Sequence, residues 1–410
     1  MAAPAFTPTP QPPPTTFAGQ RGPNDAVSSK RLKADVSDTL LMTEPTTTPA
    51  AFMIGKLRER RTATQFEFTW LEMRPYPRDV TLSTNYAGGA APGASVTLVF
   101  SAADAAKMVP NNVLRVNATG TLYLVVSVSG GNVTALANIG GSGVDAAITA
   151  PAALTILNTA YRDGADIGET RTVIDQPVSN FTQIFRTPYD WTGRQLNTEF
   201  FGGSDKDVIR KWAAVEHAKS LEHSLFFGKK ALITDATSGK LVTFTGGLLN
   251  HIKTNVWDVN GNAFSDEAEI VRWLEYAMTY GDGGNLNGRG VKYFFASPRI
   301  CSDIQMLFAD KLRHTPIDKQ YGLWCEDYES AHGTMRIVRT PSLRGNNGSF
   351  GFLVDMNHVR YVAHRGRDTK LYEDRELPGV DGEKEELMSD IGWQVEIEEA
   401  HSAIINYPIT

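Results

Sequence analysis

Between Thr84 and Ala160 the chain carries only four charged side chains, Asp104, Lys107, Arg115 and Asp145, in 77 residues otherwise rich in Gly, Ala, Thr and Val. Short runs within it, VTLVF, VLRV, TLYLVVSV and NVTAL, are separated by Gly and Asn turns, which predicts a small all-β barrel or sandwich. A β-module with so few charges has edges prone to stick, so its natural place is against another protein surface. On its N-terminal side, TATQFEFTWLEM alternates Phe66, Phe68 and Trp70 with polar neighbours, the period-two signature of a half-buried strand. Residues 171–189 supply its partner, with Val173, Phe181, Ile184 and Phe185 as apolar positions. The reading is a long hairpin with its flanks (51–83 and 161–200) interrupted by an insertion (84–160).

The clearest helix is SDKDVIRKWAAVEHAKSLEHSLFF, with Ser204 as N-cap, Asp207 in an acidic first turn and Gly228 at its end. Val208, Trp212, Val215, Ala218, Leu221 and Leu225 form its expected apolar face. A second helix from Asp266 to Tyr280 carries Ile270, Trp273, Leu274 and Ala277. A strand (VKYFFA), a helix (PRICSDIQMLFADKL) and further strands follow, an α+β order. Residues 1–50 are rich in Pro, Thr and Ala without periodicity and read as an extended arm. The net charge of −6 argues against a protein built to grip DNA. Its dense basic run, Lys56-Leu57-Arg58-Glu59-Arg60-Arg61, is expected to pair with acidic groups on this or a neighbouring chain. With neither a basic stretch leading into an apolar core at the N-terminus nor a long apolar run, synthesis in the cytosol and no membrane partner are expected.

Chemistry-bearing patterns are few. Asp258, Asn260, Asn262, Asp266 and Glu269 occupy oxygen-ligand positions of a calcium loop. Ala263 stands where that loop needs Gly, and Ser265 replaces its apolar eighth residue, so no metal and no cofactor is expected. Cys301 and Cys325 read as small core fillers. His217 and His223 lie six residues apart, on different helix faces, as surface or interface residues. The glycine-rich stretch Gly281–Gly288 reads as a flexible loop. The carboxylates Glu373, Asp374, Glu376, Glu383, Glu385 and Glu386 read as a solvated charged surface. No hydrolase, nucleotide or zinc motif occurs, so the expectation is that the chain is not an enzyme.

PAAFMIGKLRERRTATQFEFTWLEM, NFTQIFRTPYDWTG, DVIRKWAAVEHAKSLEHSLFFGKK, FTGGLLNHIKTN and the closing IGWQVEIEEAHSAIINYPIT together resemble the major capsid (major head) proteins of tailed bacteriophages with the HK97-like fold. The resemblance is to the subfamily whose hairpin, the E-loop, carries a β-domain insertion. It implies an N-terminal arm (1–50), a spine helix (201–230) of the peripheral domain, a mainly axial domain (231–340), and peripheral strands with the C-terminus (341–410). It further implies hexamers and pentamers in an icosahedral virion shell enclosing double-stranded DNA. A separate scaffolding protein, a portal and possible decoration proteins would be partners. Arg58, Arg60, Arg61, Phe68, Trp70, Arg171, Phe181 and Phe185 are the expected subunit-interface residues. The hairpin arms 62–79 and 171–190 contain no lysine, which argues against the isopeptide crosslink of some relatives. An encapsulin-like compartment shell and a non-shell virion protein or adhesin are the rival readings.

Overall fold

The computed structural model describes residues 48, 50, 51, 54, 55, 60–73, 77–166, 168, 175–199, 204–280, 290–307 and 325–409. The arm up to residue 47, Arg58, Arg171, Val173 and the glycine-rich stretch 281–288 lie outside the described residues, as does the side chain of Cys325. The chain forms two compact units, Glu67–Asn180 and the remainder, Met1–Phe66 with Phe181–Thr410.

In the first unit, β2 (Glu67–Glu72) pairs with β9 (Gln176–Phe181) as the expected hairpin. The predicted insertion is a barrel of six strands: β3 (Asp79–Leu82), β4 (Ser95–Val99), β5 (Asn112–Val116), β6 (Leu122–Ser129), β7 (Asn132–Leu136) and β8 (Ala152–Thr159). The order is β3-β8-β5-β6-β7-β4, antiparallel throughout. A bridge between Leu82 and Phe100, with Ser83 N–H donating to Val99 O at 2.9 Å, joins the outermost strands and closes the ring. Closure removes the sticky edges that an open sheet would expose. The module begins at Asp79, five residues earlier than the sequence suggests. Inward-facing Val80, Leu98, Leu114, Tyr123, Val133 and Leu154 fill it.

The second unit contains two larger sheets. One runs β1 (Arg61–Ala63), β18 (Val359–His364), β20 (Gly382–Val395), β10 (Gln183–Thr192), with β19 (Lys370–Tyr372) also on β20. The expectation that 171–189 forms one strand of the hairpin is therefore corrected: the chain changes sheets at Thr182, and β10 pairs with β20 over ten residues. Pro188 fits because β10 is an edge strand. The other sheet is β13 (Val256–Asp258), β21 (Ser402–Ile405), β17 (Gly351–Val354), β14 (Val291–Ala296), β16 (Gly333–Arg339), β15 (Cys325–Ser330). It draws strands from both sides of residue 340. Phe294 and Phe295 of β14 enter opposite clusters: Phe294 meets α5 (Glu267–Ala277) and α6 (Pro298–Leu307), and Phe295 meets Phe226 and Trp393. Cover on both faces explains why VKYFFA does not alternate. Shorter helices are α1 (Ala102–Ala105), α2 (Gly193–Leu196) and α4 (Leu248–His251).

The long helix α3 spans Asp205–Phe227 with Ser204 and Gly228 as caps, as its sequence predicts. Gly228 is needed for close approach: a Cβ there would lie 2.5 Å from the carbonyl oxygens of Ser224 and Thr245. The predicted buried face is corrected. Leu225 is buried as expected, but Trp212 is 54% exposed, and Ala213, His217, Glu222 and Phe226 are buried instead. The reason is electrostatic. Four same-facing residues of β20 meet the helix in order: Glu383 with Lys206, Glu385 with Arg210 (2.5 Å), Ser389 Oγ with His217 Nε2 (2.6 Å), and Trp393 Nε1 donating to Ser224 Oγ (3.0 Å). Eighteen helical residues rise about 27 Å and ten strand residues about 33 Å, so helix and strand can stay in step along this seam. His217, expected at the surface or an interface, is 3% exposed within its own chain and also bonds Thr187 Oγ1 at 3.0 Å.

The expectation of a solvated carboxylate surface is likewise corrected for Glu385 and Glu386, which are 2% and 4% exposed. Glu386 receives both Arg186 Nε and Nη2 at 2.8 Å. The Arg210 hydrogen bond holds the Glu385 carboxyl below its usual 4.5. A depressed carboxylate stabilises the fold above its unfolded value and loses that effect as pH falls through its folded one. Glu385→Ala is expected to cost about 2 kcal/mol, below the ~3–5 of a fully buried pair because Arg210 keeps solvent and Glu373. In denaturant titrations the parent's advantage over this variant should shrink below pH 4.5. An advantage unchanged by acid would contradict the electrostatic origin of the seam. Glu222, wholly buried on α3, is pushed up to about 8 by that burial. For a raised carboxyl the sign reverses, so stability falls as pH rises from 4.5 towards 8. Glu222→Gln should therefore flatten the decline in melting temperature between pH 6 and 9.

Candidate assembly surfaces

The predicted interface residues are largely engaged within their own chain. Arg60 pairs with Asp368 at 2.8 Å and lies over the Tyr361 ring, while Arg61 Nη1 donates to Gln394 Oε1 at 2.6 Å. Arg60 and Arg61, the described end of the basic run, thus meet groups on and beside β18 and β20. Phe68 and Trp70 are 5% and 7% exposed and stack on each other, and Trp70 Nε1 donates to Glu72 Oε1. Phe181 stacks on Phe66 beneath the Lys230 ammonium, and Phe185 packs on the core. At the hairpin, Leu71 and Met73 are 67% and 70% exposed and Phe66 is 43% exposed.

Around the candidate calcium loop the oxygens serve the turn. Asp258 Oδ1 accepts from Asn260 N–H (2.9 Å) and Asn406 Nδ2 (3.0 Å), and Asn260 takes a left-handed φ of 51°. Asn262 N–H donates to Val259 O, Asp266 is the N-cap residue of α5, and Glu269 accepts from Ser265. Among the described residues no three His, Cys, Asp or Glu side chains are grouped to hold a metal. No helix among them is long and apolar enough to cross a membrane.

Two exposed surfaces remain, one that the sequence reading missed and one that it anticipated. In the hairpin of β11 (Ala231–Thr234) and β12 (Leu241–Phe244), Leu232 and Leu241 lie on one face and Ile233, Val242 and Phe244 on the other, all exposed. A two-stranded ribbon is marginal in water, and apolar side chains on both faces call for cover. ALIT and LVTF around DATSGK were its sequence signal. The second surface is the barrel exterior. Its Asp145 is buried, accepting from Tyr123 Oη (2.8 Å) and Ala90 N–H (2.6 Å), and Asp104 is paired with Lys107 at 2.6 Å. Arg115 alone of the four charges of 84–160 is exposed and without an ion pair among the described residues. Val126, Val144 and Leu157 are exposed in the same unit. Such surfaces suit contact with other protein and offer no catalytic constellation.

The family model of the SU10 major capsid protein matches residues 15–408 of the chain. A curated major capsid protein of Pseudomonas phage PaMx41 is 24% identical over 267 residues, 62% of this chain and 62% of that protein's own length. Among solved structures, that of Microbacterium phage Oxtober96 is 11% identical with a TM-score of 0.46, covering 94% of this chain and 98% of that one. The holo-SrpI encapsulin complex from Synechococcus elongatus PCC 7942 is 10% identical with a TM-score of 0.41, covering 58% and 79%. Because the family model runs from residue 15 to residue 408, the chain belongs to the SU10 major capsid protein family.

Proposed function

We propose that the chain is the shell subunit of a phage head of HK97-like architecture, forming hexamers and pentamers that enclose double-stranded DNA. The observation that carries this reading is the family match over residues 15–408. In it, residues 1–50 cross to a neighbouring subunit, β2 and β9 form the E-loop, and α3 with β10, β18 and β20 forms the stiff peripheral plate. The sheet carrying α5 and α6 forms the axial domain. Many modest contacts then sum over a closed symmetric assembly, so no single one needs to be strong. The chain acts mechanically and not as an enzyme. A net charge of −6 suits a wall that contains DNA without gripping it. A scaffolding protein and a portal made from other chains, and optional decoration proteins, complete the assembly.

Electron microscopy of the full chain, expressed with and without the other head proteins, tests the reading. Closed shells are expected, and small oligomers under every condition would refute it. The absence of lysine from the hairpin arms predicts non-covalent shells, so mature heads boiled in detergent should run as single chains without a crosslinked ladder. Deleting residues 1–47 should leave a folded monomer that assembles poorly, and normal shells from it would remove the arm from the mechanism. Replacing Asp79–Thr159 with a short Gly/Ser turn should preserve the other unit, which has its own two cores, while lowering the temperature at which shells break. Shells as heat-resistant as the parent's would assign the barrel another role.

A further inference from the structure

Beside β13 lies a groove of about 530 Å³ whose walls come from that strand and α5. Trp257 and Trp273 stand 5.9 Å apart there, Tyr276 is 68% exposed, and Arg272 is exposed without an ion pair among the described residues. The other polar groups of the lining are spent internally. Trp273 Nε1 donates to Ser402 Oγ (2.7 Å), Ser402 Oγ to Asn255 O (2.7 Å), Asn255 Nδ2 to Glu399 O, and Thr254 Oγ1 to Glu398; Glu269 accepts from Ser265. A ligand therefore meets aromatic faces and one cationic donor, with few free acceptors. That suits a segment rich in carbonyl oxygens and poor in N–H groups, which is what a proline-rich strand is: proline has no amide hydrogen, and its rings pack on aromatic faces.

The chain contains such a segment outside the described residues, PAFTPTPQPPPTTF at residues 4–17, with prolines at 4, 8, 10, 12, 13 and 14. We propose that this segment of a neighbouring copy's arm docks in the groove, with Trp257 and Tyr276 receiving its prolines and Arg272 donating to its carbonyls. The inference rests on the shell reading, in which the arm crosses to a neighbour, and names where it lands. Its length allows this. The 31 steps from Phe17 to Thr48 reach up to about 100 Å at ~3.3 Å each, against about 50 Å across a body of nearly 300 residues.

The test replaces Tyr276 in the full chain by photoreactive p-benzoylphenylalanine, which an exposed aromatic position tolerates. Shells are assembled from a mixture of isotopically heavy and light chains, imaged, irradiated and mapped by mass spectrometry. Crosslinks to residues 4–17 that join heavy to light chains are expected. They should be lost when Pro12, Pro13 and Pro14 are changed to Ser in the same background. Intact shells in the images with crosslinks elsewhere, only within single chains, or absent overturn the docking and leave the shell reading standing. The docking also falls if the triple Pro→Ser change leaves the crosslinks unaltered. Failure to find shells in any preparation overturns the shell reading itself, and the docking with it.

Discussion

The seam between α3 and β20 is the contact on which the larger unit depends. Lys206, Arg210, His217 and Ser224 meet Glu383, Glu385, Ser389 and Trp393, so four same-facing residues of the strand are each assigned a partner. A slip of one residue would turn all four to the wrong face, which makes the register strongly specified. β20 in turn carries β18 and β10 on its two edges, and β18 carries β1. At its far end α3 delivers Phe226 onto Phe352, stacked 5.0 Å away, tying the helix to the second sheet. Polar pairs at one end and an aromatic cluster at the other fix both the position and the orientation of a single helix.

The second sheet shows the same combination of apolar packing and a strongly constrained buried polar group. Lys292, in a strand buried on both faces, donates to the carbonyl oxygens of Ala277 (2.6 Å), Tyr280 (2.7 Å) and Ala400 (2.6 Å). Burial pulls its ammonium down to about 8. The cation sits where the C-terminal carbonyls of α5 collect negative partial charge, which compensates part of that burial. Removing it would leave those buried acceptors short of a donor. Helix end, strand and the loop before β21 are thereby fixed by one side chain.

The barrel solves the opposite problem. Its interior is satisfied, with Asp145 consumed by Tyr123 and Ala90, and its edges are closed, yet its exterior has almost no charge. A closed barrel with a Thr-, Ser- and Asn-rich surface remains folded without relying on partners, while keeping desolvation on contact inexpensive.

The sequence by itself determined whatever depends on neighbours along the chain. Ser204 and Gly228 bounded α3; Ile270, Trp273, Leu274 and Ala277 marked the buried face of α5; four strands of the barrel and VKYFFA were legible from β-branched runs and turn residues. What it could not determine was which surface each element would meet. Trp212 looked like a core residue because apolar spacing was read alone, yet the helix turns the face carrying Arg210 and Lys206 to a charged strand 175 to 177 residues away. Glu385 and Glu386 looked solvated for the same reason, since nothing adjacent reveals a distant guanidinium. The sheet change at Thr182, the Phe100 bridge that closes the barrel and the double apolar face of 231–244 are likewise long-range pairings. Local propensity reports what a segment can become, and only tertiary contact decides which of its faces is hidden, because burial energy depends on the partner and not on the segment.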